Sequence, residues 1–167
     1  MYTEDFTLLL VRDAAEPPMW TEHWARSYPL VQSVACAAGE TAAEWRDTVQ
    51  AAFDAADGAV CVAAYGAATA AVAAWYAHLT LTAQKRVRAV ILVSPPQEVW
   101  TARDWRYPRF QCRAAWVVAA DAAERGWAEN TAAACGARLL IAPQSGRLAA
   151  DAGRWEWGMR LMAEMLD

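Results

Sequence analysis

Lysine is almost missing from this 167-residue chain: Lys85 stands alone among basic residues that are otherwise all arginine. Histidine is nearly as scarce, with only His23 and His78, and no run of basic residues occurs anywhere. With a net charge of -4, the chain has neither the basic groove that nucleic acid needs nor the patch that an anionic membrane surface needs. Cys36, Cys61, Cys112 and Cys135 are widely spaced, form no C-x-x-C pair and have too few imidazoles to complete a metal site. Free cysteine packs like a small hydrophobe, so buried, reduced thiols are expected. There is no Gly-rich nucleotide loop and no candidate cofactor lysine, so no cofactor is expected. The opening "MYTEDFTLLLVRD" puts acids before a short apolar stretch, the reverse of a signal peptide, and no stretch approaches the ~18 apolar residues of a membrane span. A cytoplasmic protein is the expectation.

What the chain has in excess is alanine, about a quarter of all residues against a much lower average usage, with ten tryptophans to supply bulk. A length of 167 suits one domain over residues 1–167 with a sizeable core. Short apolar runs with turn signals at their ends recur at 6–11, 30–35, 59–64, 87–93, 115–120 and 138–142. Helical spacing lies between them at 20–28, 41–56, 67–78 and 121–134, and after them at 149–166. Continuous apolar strands alternating with helices predict a three-layer α/β/α sandwich on about six mostly parallel strands. Thr41 with Glu44 three positions on predicts a capping box, and Asp121 is placed to cap the fourth helix. The stretch 97–113, "QEVWTARDWRYPRFQCR", is mixed polar and aromatic and predicts a loop excursion of the kind that often lines a site.

"GAVCVAAYGAATAAVAAWYAH", from Gly58, passes from a strand through a Tyr-Gly hinge into an Ala-rich helix, the layout of a nucleophile elbow. "MWTEHWARSYP" precedes it, and "RVRAVILVSPP", "AAWVVAADAAERGW" and "GARLLIAPQSGRLAADAGRW" follow it in order. Together these segments resemble the YdeN-type small serine hydrolases, the retinoblastoma-binding-protein-type branch of the α/β-hydrolase fold. Trp20 and Trp24 fall on that family's His-Trp-x-x-x-Trp tryptophans, and Met19 falls on its histidine. The resemblance implies a carboxylesterase-like Ser-Asp-His triad, but the three positions carry Gly66, Ala123 and Arg147. Acyl transfer needs a nucleophile, a base within reach and a group that orients the base. Glycine has no side chain, alanine no acid, and arginine stays protonated. A slip of one or two residues could lend the acid's role to Glu124 or Asp121. It cannot restore the nucleophile, because no Ser, Cys or Asp lies within two residues of Gly66, nor the base, because the nearest histidine to Arg147 is His78.

A glycine at the elbow accepts a positive φ without a Cβ penalty, so Gly66 keeps the turn between the small Ala64 and Ala68. The expectation is a catalytically inactive hydrolase-like protein that binds a partner, itself or a small anionic ligand. An enzyme of another class, or a weak esterase in the inherited cleft, is the alternative. Asp13, Tyr65, Gly66 and Arg147 are the candidate ligand-binding residues. Each has a plainer reading: Asp13 as a turn former, Tyr65 as a cap on the sheet, and Arg147 as an ion-pair partner of Glu124 or Asp151. His23 and His78 are expected as surface or helix-end residues, and Ser94 and Ser145 as hydroxyls at strand ends without a nearby base. Trp100, Trp105, Tyr107 and Phe110, with Arg103, Arg106 and Arg109, have the residue types of a protein or homodimer interface. Core packing is the competing reading for these rings, as for Trp155 and Trp157.

Overall fold

The structure is a computed structural model that describes residues 5–16, 20–37, 39–102, 106–144 and 154–167. Its elements run β1 (Phe6–Asp13), α1 (Trp20–Ser27), β2 (Val31–Cys36), α2 (Ala42–Ala55), β3 (Ala59–Tyr65), α3 (Ala68–Ala77), α4 (Leu81–Gln84), β4 (Val87–Val93), α5 (Gln97–Thr101), β5 (Arg113–Val118), α6 (Arg125–Cys135), β6 (Arg138–Ile141) and α7 (Glu156–Leu166). The six strands form one sheet in the order β2-β1-β3-β4-β5-β6, and every pairing is parallel.

The order reverses once, between β1 and β3, and this reversal sets the layers. A parallel crossover is right-handed in nearly every case. The connection β1-α1-β2 moves one way along the sheet, and those from β2 to β6 move the other, so their helices lie on opposite faces. Leu8, Leu10, Cys61, Ala63, Ile91 and Val117 pack under α1 and α7. Leu9, Val11, Val62, Val90, Leu92 and Trp116 pack under α2, α3 and α6. The alternation of these side chains is the period of two that a pleated strand imposes. The result is the expected three-layer α/β/α sandwich.

α2 begins as its capping box predicts: Thr41 Oγ1 accepts from the Glu44 amide at 3.2 Å, and Glu44 Oε2 accepts from the Thr41 amide at 3.1 Å. α3 is buried from Ala68 to Tyr76, and alanine is both the strongest helix former and small enough for close packing. The fourth long helix begins later than expected. α6 starts at Arg125 with Glu124 at its N-cap, and residues 120–124 form turns instead of its first turn. Asp121 therefore does not cap it. The last helix is described from Glu156, and residues 149–153 of its expected span lie outside the described residues.

The excursion 97–113 is the main departure from expectation. It opens with α5, and Trp100 within it is fully buried against Trp116 and Trp127, with ring centroids 4.8 and 6.2 Å away. Phe110 is also buried and meets Tyr76 at 4.8 Å. Large rings fill space that the alanines of α3 leave.

Candidate functional site

A sheet whose strand order reverses leaves a crevice at the carboxyl ends of the strands beside the reversal. Here those ends are Asp13 on β1 and Tyr65 on β3, and Gly66 follows Tyr65 directly into α3. Gly66 has φ +62°, and a Cβ built on it would meet nothing within 4 Å. The turn thus has the positive φ of an elbow and space above its central residue.

Hydrogen bonds hold this turn from below. The Gly66 amide donates to Val93 O at 2.9 Å, joining the turn to β4. Its carbonyl accepts from the Thr69 amide at 3.1 Å and from Thr69 Oγ1 at 2.6 Å. Thr69 Oγ1 in turn accepts from the Trp100 indole N–H at 3.0 Å, within the core. The Trp100–Thr69 link is buried, and low local dielectric there strengthens it and, through it, the part-buried link to the Gly66 carbonyl. Sequence reasoning missed Thr69 and placed Trp100 on a surface. The signal was the Gly-x-x-Thr spacing, which puts the hydroxyl one helical turn beyond the elbow carbonyl.

Asp13 Oδ1 accepts from the Ala15 amide at 2.9 Å, which is the turn-forming role. Tyr65 is 8% exposed and packs in the α1/α7 layer. Ser94 ends β4 with φ +51°, an uncommon conformation for serine, and its amide donates to Val117 O at 2.8 Å. Ser94 and Ala123 line a cleft of about 410 Å³ at the ends of β4 and β5, along with Asp121, Glu124, Glu98 and Trp127. Glu124 Oε2 accepts from the Gln97 amide at 3.2 Å and so serves the first turn of α5. Arg147, Ser145, Asp151, Met19, Arg103 and Trp105 lie outside the described residues.

The two histidines stand away from the elbow's interior. His23 is exposed on α1, and His78 is the exposed C-cap of α3, its Nδ1 2.9 Å from Ala74 O. Among the described residues no group of three His, Cys, Asp or Glu is placed to hold a metal, and no helix is long and apolar enough to cross a membrane. Of the four interface rings, Trp100 and Phe110 are corrected to core positions, because both are spent on packing inside the fold. Tyr107 is 39% exposed, with Arg106 and Arg109 exposed beside it. Trp155 is fully buried and Trp157 half-buried against it, at 5.8 Å.

The elbow glycine yields a direct prediction. Gly66→Ala has room for its methyl group but forces alanine to positive φ, so it should lower stability by about 1 kcal/mol, read by urea unfolding. An unchanged midpoint would mean that the turn relaxes to another conformation.

The profile of the serine hydrolase family matches residues 12–164. Among solved structures, a protein of Pectobacterium atrosepticum described as a YdeN-like hydrolase is 18% identical, with a TM-score of 0.78 over 96% of this chain and 90% of that one. The ydeN gene product of B. subtilis is 13% identical, with a TM-score of 0.70 over 96% and 98%. A protein of Xanthomonas campestris pv. campestris, described as a hydrolase of the alpha/beta superfamily, is 17% identical, with a TM-score of 0.66 over 96% of each chain. No protein of curated function matches in sequence. At such identities the structures speak for the fold alone, but the family profile spans most of the chain. On a profile match that runs from the end of β1 into α7, the chain belongs to the serine hydrolase family.

Proposed function

We propose that this member of the family does not hydrolyse esters and acts by binding, through the carboxyl edge of its sheet. The observation that carries this reading is Gly66: an elbow with positive φ and open space above it, but no nucleophile. Ala123 lines the neighbouring cleft where the family's acid would be expected, and Arg147 stands in sequence where its histidine would be. A hydroxyl without a base and its orienting acid has little nucleophilic power at neutral pH. A small anionic ligand suits the site better than a protein partner does, since two of the four rings offered for an interface are buried.

One observation favours the alternative of residual chemistry. Ser94 has strained backbone, and strain of this kind clusters at functional sites. The two readings separate in one experiment. The purified protein should show no labelling by a fluorophosphonate probe and no turnover of aryl esters. Labelling that survives purification and disappears in Ser94→Ala would overturn the non-catalytic reading.

A further inference from the structure

The sheet ends in two unlike edges. β6 is four residues long and begins with Arg138, and shortness and charge both discourage another strand from adding there. β2 has neither protection. Val31–Cys36 reads VQSVAC, six residues with no charge and no proline, in unbroken register with β1. An edge of this kind invites a further strand, and natural proteins usually blunt it.

The hydrogen bonds show which backbone groups are open. Leu30 O accepts from the Leu8 amide at 2.9 Å, and Cys36 O accepts from the Ala14 amide at 2.8 Å. A parallel ladder spends every second residue of a strand on its neighbour, so Leu30, Gln32, Val34 and Cys36 are turned to β1. Val31, Ser33 and Ala35 therefore direct their N–H and C=O groups outward, and among the described residues no backbone group bonds to them. Ser33 and Ala35 are exposed, and Leu30 at the start of the strand is a large hydrophobic residue left 50% exposed.

We infer that a second copy of this chain covers this edge, β2 against β2, antiparallel about a two-fold axis at Ser33. The strand fits its own reverse. Ser33 meets Ser33 of the second copy, Val31 meets Ala35 and Gln32 meets Val34, so no like charges are opposed. Every outward residue falls in register, donating to and accepting from the residue opposite it. Leu30 comes opposite Cys36 of the second copy and loses its exposure. A strand from another protein would be selected by charge along the edge, and β2 carries none. The pairing is isologous and uses both open edges, leaving a blunted β6 at either end, so assembly closes at two copies. This surface is separate from the carboxyl ends of the strands, so dimerisation and the non-catalytic reading stand or fall independently.

Sedimentation velocity of the full chain from ~10 to ~500 μM tests this. It should show an equilibrium between monomer and dimer with a Kd of about 10–100 μM, as suits a small interface. Ser33→Pro is the first variant: an edge strand accepts proline where the N–H faces solvent, so the fold stands, but both central bonds are lost and dimerisation weakens about ten-fold or more. Ser33→Lys and Ser33→Glu form the second test. Each alone opposes like charges across the axis and weakens the dimer several-fold, and an equal mixture of the two restores it. That rescue locates the axis whether or not the proline variant folds. A chain that stays monomeric across the whole range overturns the inference and leaves the edge to an extended segment of another protein. A dimer that all three variants leave intact overturns it as well, because the contact then lies elsewhere.

Discussion

Gly158→Ala is expected to destabilise the protein by roughly 2 kcal/mol or more, although alanine is the better helix former. The added Cβ would lie 2.2 Å from Trp155 Cε3 and 2.5 Å from Cζ3, far inside van der Waals contact. The ring cannot swing aside, because it is fully buried against Trp20 at 4.9 Å, Trp24 at 5.9 Å and Trp157 at 5.8 Å. Two effects oppose each other here. Helix propensity returns at most about 1 kcal/mol, whereas overpacking a closed core costs about 1–3 kcal/mol and more when nothing can move. The melting temperature should fall by about 5 °C or more for a domain of this size. Gly126→Ala is the control: this glycine is in α6 with nothing within 4 Å of the added Cβ, so only the propensity gain applies and stability should rise slightly. Equal effects at both positions would show that the ring contact does not govern α7.

Alkaline pH should destabilise the protein through its thiols. Burial pushes Cys36 and Cys61 from the usual 9.0 up to about 12, and Cys112 and Cys135 up to about 11. A folded-state value raised above the unfolded one means that the folded protein keeps protons that the unfolded chain releases. The stabilisation is complete below pH 9 and is lost progressively as the pH rises towards 11 and 12. At about 1.4 kcal/mol per pH unit for each group, four thiols together remove roughly 5 kcal/mol by pH 10, a large share of a typical domain's stability. Tyr28 and Tyr76, also raised by burial, add to the loss in the same direction. Urea unfolding at pH 8 and pH 10 measures this, with m held constant as the sign of one transition. The companion result at pH 8 is that a disulfide reagent modifies none of the four thiols until urea unfolds the chain. Native thiols reacting at the rate of free cysteine would contradict both.

The strands were legible because each is a continuous apolar run, the pattern of a strand covered on both faces. β4 matches its sequence boundaries, and the other five differ by one or two residues at their ends. The helices α4 and α5 were not legible: one turn of helix is too short to show a period of 3.6. Asp121 looked like a cap because acids favour helix starts, but the chain turns from 120 to 124 and uses the neighbouring Glu124 across the cleft at Gln97. Trp100 looked like an interface residue because arginine and aromatic residues mix around it. Composition cannot reveal that its indole N–H supports the elbow through Thr69, since the two are 31 residues apart. The elbow itself was visible from the Tyr-Gly hinge between small residues. The run that forms β2 was visible too, but its place at an open edge was not, because edge position is a property of the sheet order alone.

The two-sided sheet has a consequence for how the chain is made. The α2/α3/α6 face receives its helices in step with its strands. On the other face the helices that cover the strands, among the described residues, are α1 and α7, and α7 begins at Glu156, well after β5 ends at Val118. A ribosome adds roughly 5–20 residues per second, so Ile91, Val93 and Val117 stay uncovered for several seconds after their strands emerge. That interval is when a nascent chain of this protein would most need a chaperone, and a slow-translating stretch before α7 would lengthen it.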